Sequence, residues 1–194
     1  MADRSSDSID PTSTPAERFR RVAARCSARV DEVSADRWDA PAPCEGWVAR
    51  DVVAHMVEWM PSLLEPAGVA MPPGPSAADD PAGAWHPLAD WLQSLLDDPE
   101  VAGTSFDRPP LGEMTVAQAI DTVMLGDVVV HTWDIARATG LDESLDPDLV
   151  HEMYVGMLPM DEMLRTSGHY GPKVDVPDDA DEQTKLIAFT GRRP

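Results

Sequence analysis

A chain of 194 residues, 43% of them apolar, is long enough to bury a sizeable core. Its 35 Asp and Glu outnumber 15 Lys and Arg, a formal charge of −20 that repels phosphate backbones and anionic lipid and so argues against nucleic-acid and membrane-surface partners. No apolar run is long enough to span a bilayer, the polar N-terminus does not read as a signal peptide, and two cysteines suit a reducing compartment, so a cytoplasmic location is expected.

Residues 1–13, rich in Ser, Asp, Thr and Pro, predict a disordered arm, and residues 14–194 a single domain. Thr14-Pro15-Ala16-Glu17 supplies an N-cap, a proline at the first helical position and a glutamate to close a capping box. The helix opened there turns Phe19, Val22, Ala23, Cys26, Val30 and Val33 inward. Trp38 to Gly46, with two prolines and a glycine, predicts a loop. Val52, Val53, Met56, Trp59, Met60 and Leu63 then recur at helical spacing, predicting a second helix from Val48 to Leu64 that Pro61 should kink or end.

Residues 66–83 read as a Pro-, Gly- and Ala-rich linker, followed by a third helix from Trp85 to Leu96. Gly103 to Glu113 predicts an extended or turn connection. Thr115 and Gln118 repeat the capping box, opening the longest helix, which runs to Thr139 with Gly140 as its C-cap. Asp146-Pro147 opens a fifth helix to Arg165 with Met153, Met157, Met160 and Met163 as its core stripe. An extended strip and a short helix within Asp181 to Phe189 complete the chain. The fold class expected is all-α, an antiparallel four-helix bundle with an additional C-terminal helix.

Asp127 and His131 lie four apart, so both leave one face of the long helix about one turn apart. Met124, Val128 and Ile135 place that face on or beside the buried stripe. A buried aspartate beside a histidine needs compensation, from a divalent metal or from a plain Asp–His hydrogen bond. His55 sits on the inward stripe of the second helix, among Val52, Met56 and Trp59, either as a core histidine or as a third ligand brought opposite the pair. Two histidines and one carboxylate are the usual protein ligands of a catalytic zinc, leaving a position open. Glu58 reads as a solvated carboxylate or a fourth ligand. Asp134 reads as an ion-pair partner of Arg137 or as an acceptor orienting His131. Cys44 reads as a small buried residue or a reactive thiol, Trp47, Trp59 and Trp133 as core or pocket wall, and His86, His151 and His169 as exposed and without partners.

Cys44-Glu-Gly-Trp47, followed by Arg50-Asp-Val-Val-Ala-His55 and then by Gly126-Asp-Val-Val-Val-His131-Thr-Trp-Asp-Ile-Ala-Arg-Ala-Thr-Gly140, resembles the DinB-like fold. Within it the chain is similar to the mycothiol-dependent maleylpyruvate isomerase N-terminal domain family, common in actinobacteria. The resemblance runs from Thr14 to the tail and implies a four-helix bundle, with a bound zinc whose ligands map onto His55, Asp127 and His131. It also implies thiol-linked isomerisation or transfer, with a mycothiol-like small thiol as partner. The isomerase uses a glutamate where this chain has the shorter Asp127, and Val48 replaces a helix-capping threonine. The expectation is thus a metal-dependent enzyme activating a thiol or water, the ion being zinc ahead of nickel, iron or manganese. The alternative is a non-catalytic metal- or small-ligand-binding stress protein. A third reading is a purely structural bundle that forms a homodimer through an apolar helix face.

Overall fold

The computed structural model describes residues 13–166 and 170–194, which form two compact units, residues 13–143 and residues 144–194. The expected N-terminal arm lies outside the described residues except for Ser13, and so does His169.

The first unit is a helical bundle. Helix α1 (Pro15–Glu32) opens on the expected capping box: the Glu17 amide donates to Thr14 Oγ1 at 3.3 Å and the Thr14 amide donates to the Glu17 carboxylate at 2.8 Å. Helix α2 (Ala49–Leu64) begins after Val48, whose side chain has no acceptor, so only half of a box forms, with Asp51 accepting the Val48 amide at 2.9 Å. As expected α2 reaches Leu64, and of the two effects expected of Pro61 it does not end the helix. Helix α3 (Pro81–Asp97) starts earlier than its apolar stripe suggests, because Asp80 caps it through the Gly83 amide and Pro81 takes the first turn. A short helix α4 (Pro99–Ala102) leads into an antiparallel hairpin, β1 (Ser105–Arg108) and β2 (Gly112–Thr115).

The expected long helix is one rod in three parts: α5 (Val116–Ala119), a π turn (Ile120–Met124) and α6 (Leu125–Thr139). At the π turn the Leu125 amide donates to the Ile120 carbonyl, five residues back. Such insertions shift the phase of the faces on either side, and this one lies just before Asp127. Gly140, at φ 78°, ends the rod in the left-handed conformation that a glycine C-cap allows.

Helices α1 and α2 each pack against both α3 and α6. Ion pairs give the directions. Arg18 meets Asp121 at 2.8 Å near the start of both helices, and Arg29 meets Asp142 at 2.7 Å near their ends, so α1 and the rod run together. Arg20 meets Asp97 at 2.7 Å and Trp85 donates to Ser27 Oγ at 2.9 Å, so α3 runs against α1. Trp47 faces His131 and Trp59 faces Asp127, so α2 runs against α6. Consequently α2 and α3 point the same way, and the chain must return along the bundle between them. Residues 65–80 do this: α2 is about 24 Å long, and an extended linker covers roughly 3.3 Å per residue. Phe19, Met56, Trp85, Leu92, Ile120, Met124, Trp133 and Ile135 fill the core.

In the second unit α7 (Pro147–Met157) packs against α9 (Glu182–Phe189), and the Val174 amide of the extended strip donates to the Ala188 carbonyl at 3.0 Å. The single fifth helix predicted to Arg165 is instead broken. A 3₁₀ turn at Leu158–Met160, built on Pro159, separates α7 from α8 (Asp161–Thr166). That turn resets the helical phase, so Met157 is buried whereas Met160 and Met163 are exposed rather than core. Among the described residues no helix is long and apolar enough to cross a membrane.

Candidate metal centre

His55 leaves the second turn of α2, and Asp127 and His131 leave successive turns of α6. Because the two helices run in opposite directions, the three side chains converge. Asp127 Oδ1 lies 3.3 Å from His131 Nε2, and Asp127 Oδ2 lies 3.8 Å from His55 Nε2. One donor atom from each of the three fits within a 4.8 Å cluster. The two imidazoles meet edge to face, with centroids 5.1 Å apart.

These separations suit a cation. Donors held about 2.0 to 2.2 Å from a tetrahedral ion lie roughly 3.4 Å from one another, and the observed 3.3 and 3.8 Å bracket that edge. The lone pairs also point correctly. Asp134, fully buried, accepts from His131 Nδ1 at 2.8 Å, which fixes the tautomer and leaves Nε2 to face Asp127 and His55. The residues therefore fit a divalent metal.

The charges in the cluster hold one another. Burial alone would raise the Asp127 carboxyl, but the His131 charge and hydrogen bond, helped by His55 and the Trp59 indole, hold it below the usual carboxylate range. Burial alone would lower His131, but Asp127 and Asp134 outweigh it and bring the imidazole to about 9. Without a metal, a proton occupies the place between His131 and Asp127 that a cation would take.

Two tryptophans and a loop wall the centre. The Trp47 ring lies 5.1 Å from the His55 ring and 6.3 Å from the His131 ring. Trp59, one turn beyond His55, donates its Nε1–H to Asp127 Oδ2 at 3.1 Å. Trp47 is placed by a turn in which its amide donates to the Cys44 carbonyl at 3.1 Å and Gly46 takes φ 80°, a conformation that favours glycine. The same turn aims Cys44 Sγ at Asp134 Oδ2, 3.7 Å away, and Cys44, His131 and Asp134 form a second tight cluster. His55 and Asp127 keep 35% and 27% of their side chains exposed, against 5% for His131, so the cluster opens on the His55 side.

Other sequence expectations separate here. Glu58 is exposed and outside both clusters, so it is a solvated carboxylate. Asp134 turns to His131, while Arg137 pairs with Glu143 at 3.0 Å, so the orienting role replaces the expected Asp134–Arg137 pair. Trp133 is core, unlike Trp47 and Trp59. Cys26 is buried against Thr132, and burial pushes its thiol up to about 12 despite that hydrogen bond, as befits a packing residue. His86 and His151, expected to lack partners, meet Asp31 at 2.8 Å and Glu182 at 2.9 Å. Trp59 and Cys44 as contacts of Asp127 and Asp134 escaped the sequence reading. The one local signal for Trp59 is its spacing of four from His55 on the same helical face.

An all-α bundle with a His–Asp–His cluster between two facing helices defines a class of DinB-like proteins able to offer three donors to a divalent metal. Residues 19–136 match the mycothiol maleylpyruvate isomerase N-terminal domain, and the chain belongs to that family. Two uncharacterised proteins of Mycobacterium tuberculosis, from strains CDC 1551 / Oshkosh and H37Rv, are each 28% identical over 187 residues, covering 92% of this chain and 97% of theirs. No solved structure matches the chain.

Proposed function

We propose that this protein is a metal-dependent enzyme of the maleylpyruvate isomerase type, acting on a low-molecular-weight thiol of the mycothiol kind, with zinc held by His55, Asp127 and His131. The observation that carries this reading is the convergence of three donors, with no fourth ligand in that cluster among the described residues, at a place open on one side. A divalent cation there supplies Lewis acidity, lowering the pKa of a thiol or water that reaches it.

The chain's own residues set the conditions for that chemistry. Asp134 keeps a proton on His131 Nδ1, so Nε2 stays directed at the centre. Asp127 supplies the negative charge that offsets a cation. The Trp47 and Trp59 rings flank His55, and the exposed parts of His55 and Asp127 give a small molecule its approach.

The test is thiol binding to the cobalt-substituted protein. A sulfur-to-cobalt charge-transfer band is expected with a small thiol and is expected to vanish in His55→Ala. No band with any small thiol, together with four protein donors by X-ray absorption, would reject thiol chemistry.

A further inference from the structure

Asp127 has two carboxylate oxygens, and the structure treats them differently. Oδ1 lies 3.3 Å from His131 Nε2, whereas Oδ2 lies 3.8 Å from His55 Nε2 and also receives the Trp59 indole N–H at 3.1 Å. An indole has one polar atom, and it only donates. The Trp59 ring also packs 5.9 Å from the His55 ring on the same helix face.

We propose that Trp59 is a specificity-determining residue that commits Asp127 to binding a metal through one oxygen. This rests on the metal reading above. With one lone pair of Oδ2 given to the indole, Oδ1 is left the stronger donor, and the cluster then presents three single-atom donors, two of them imidazole nitrogens. Such a set favours a four-coordinate ion of the zinc or cobalt kind. Manganese and calcium, which gather six or more ligands, mainly oxygens, lose the second carboxylate oxygen they would otherwise recruit. Spacing places the two roles on one helix: position 55 supplies a ligand, and position 59, one turn on, holds the ligand that comes from the facing helix.

Trp59→Phe keeps an aromatic wall and removes only the N–H and some ring area. Zinc affinity is expected to fall roughly 10-fold to 100-fold, as for other residues that orient ligands, and the zinc-over-manganese preference is expected to narrow. The visible absorption of bound cobalt(II) is expected to weaken as the coordination number rises. Trp59→Gln, which restores an N–H at similar reach, is expected to recover part of the wild-type spectrum. A merely structural role would shift thermal stability without changing the cobalt spectrum. Wild-type affinity, preference and spectrum in Trp59→Phe would overturn the proposal while leaving the metal site standing. Wild-type protein that takes up no metal would overturn both. Should the variants fail to fold, X-ray absorption of zinc-loaded wild-type protein decides: one Asp127 oxygen within about 2.2 Å supports the proposal, and two such oxygens refute it.

Discussion

A cation and the His131 proton compete for the same nitrogen, so raising the pH is expected to tighten metal binding. With the imidazole at about 9, only about one molecule in a hundred carries a neutral His131 at pH 7, and about one in four at pH 8.5. The apparent zinc affinity is therefore expected to rise about 25-fold over that interval through His131 alone. Competition against a chromophoric chelator measures it, at fixed ionic strength and corrected for the chelator's own protons. Asp134→Asn removes one of the two carboxylates that raise His131, so the same interval should show a smaller rise, from a weaker starting affinity. An affinity that changes less than threefold between pH 7 and 8.5 would refute the view that the His131–Asp127 pair is what a metal replaces.

The metal-free protein should show the converse dependence in its stability. His131 is raised above its unfolded value of about 6.5, so its contribution is complete below that pH and is lost as pH rises through about 9; Asp127 is lowered, so its contribution is present above about pH 4 and is lost on further acidification. Thermal melts in the presence of a chelator should fall from pH 7 to 10 in the wild type and less in His131→Ala; a flat wild-type profile contradicts the coupling. Glu58→Gln should leave zinc affinity within twofold, because the carboxylate is exposed and outside both clusters; a loss of tenfold would place it in the centre after all.

Much of this arrangement is local information. Thr14 with Glu17 and Thr115 with Gln118 announce helix starts because a capping box needs only neighbours, and the structure contains both. Asp127 and His131 are adjacent for the same reason, since a spacing of four on a helix fixes their separation. His55 reaches them only through tertiary packing, and its position on an apolar stripe was the sequence trace of that. The Cys44–Asp134 and Trp59–Asp127 contacts join residues 90 and 68 positions apart, which no local pattern encodes. The shared direction of α2 and α3 is likewise invisible locally, although the length of the 65–80 linker permits it. Prolines do not settle the matter by themselves: the fifth helix breaks at Pro159, whereas α2 continues through Pro61 and α3 through Pro87.

Metal content tests the shared role of His55, Asp127 and His131 most directly. The protein purified without chelator, or reconstituted with zinc and desalted, should carry close to one divalent ion per chain by elemental analysis. His131→Ala should lose it while retaining the wild-type helical circular dichroism. Equal occupancy in wild type and His131→Ala, or no ion in reconstituted wild type, would contradict a single site built from those three residues.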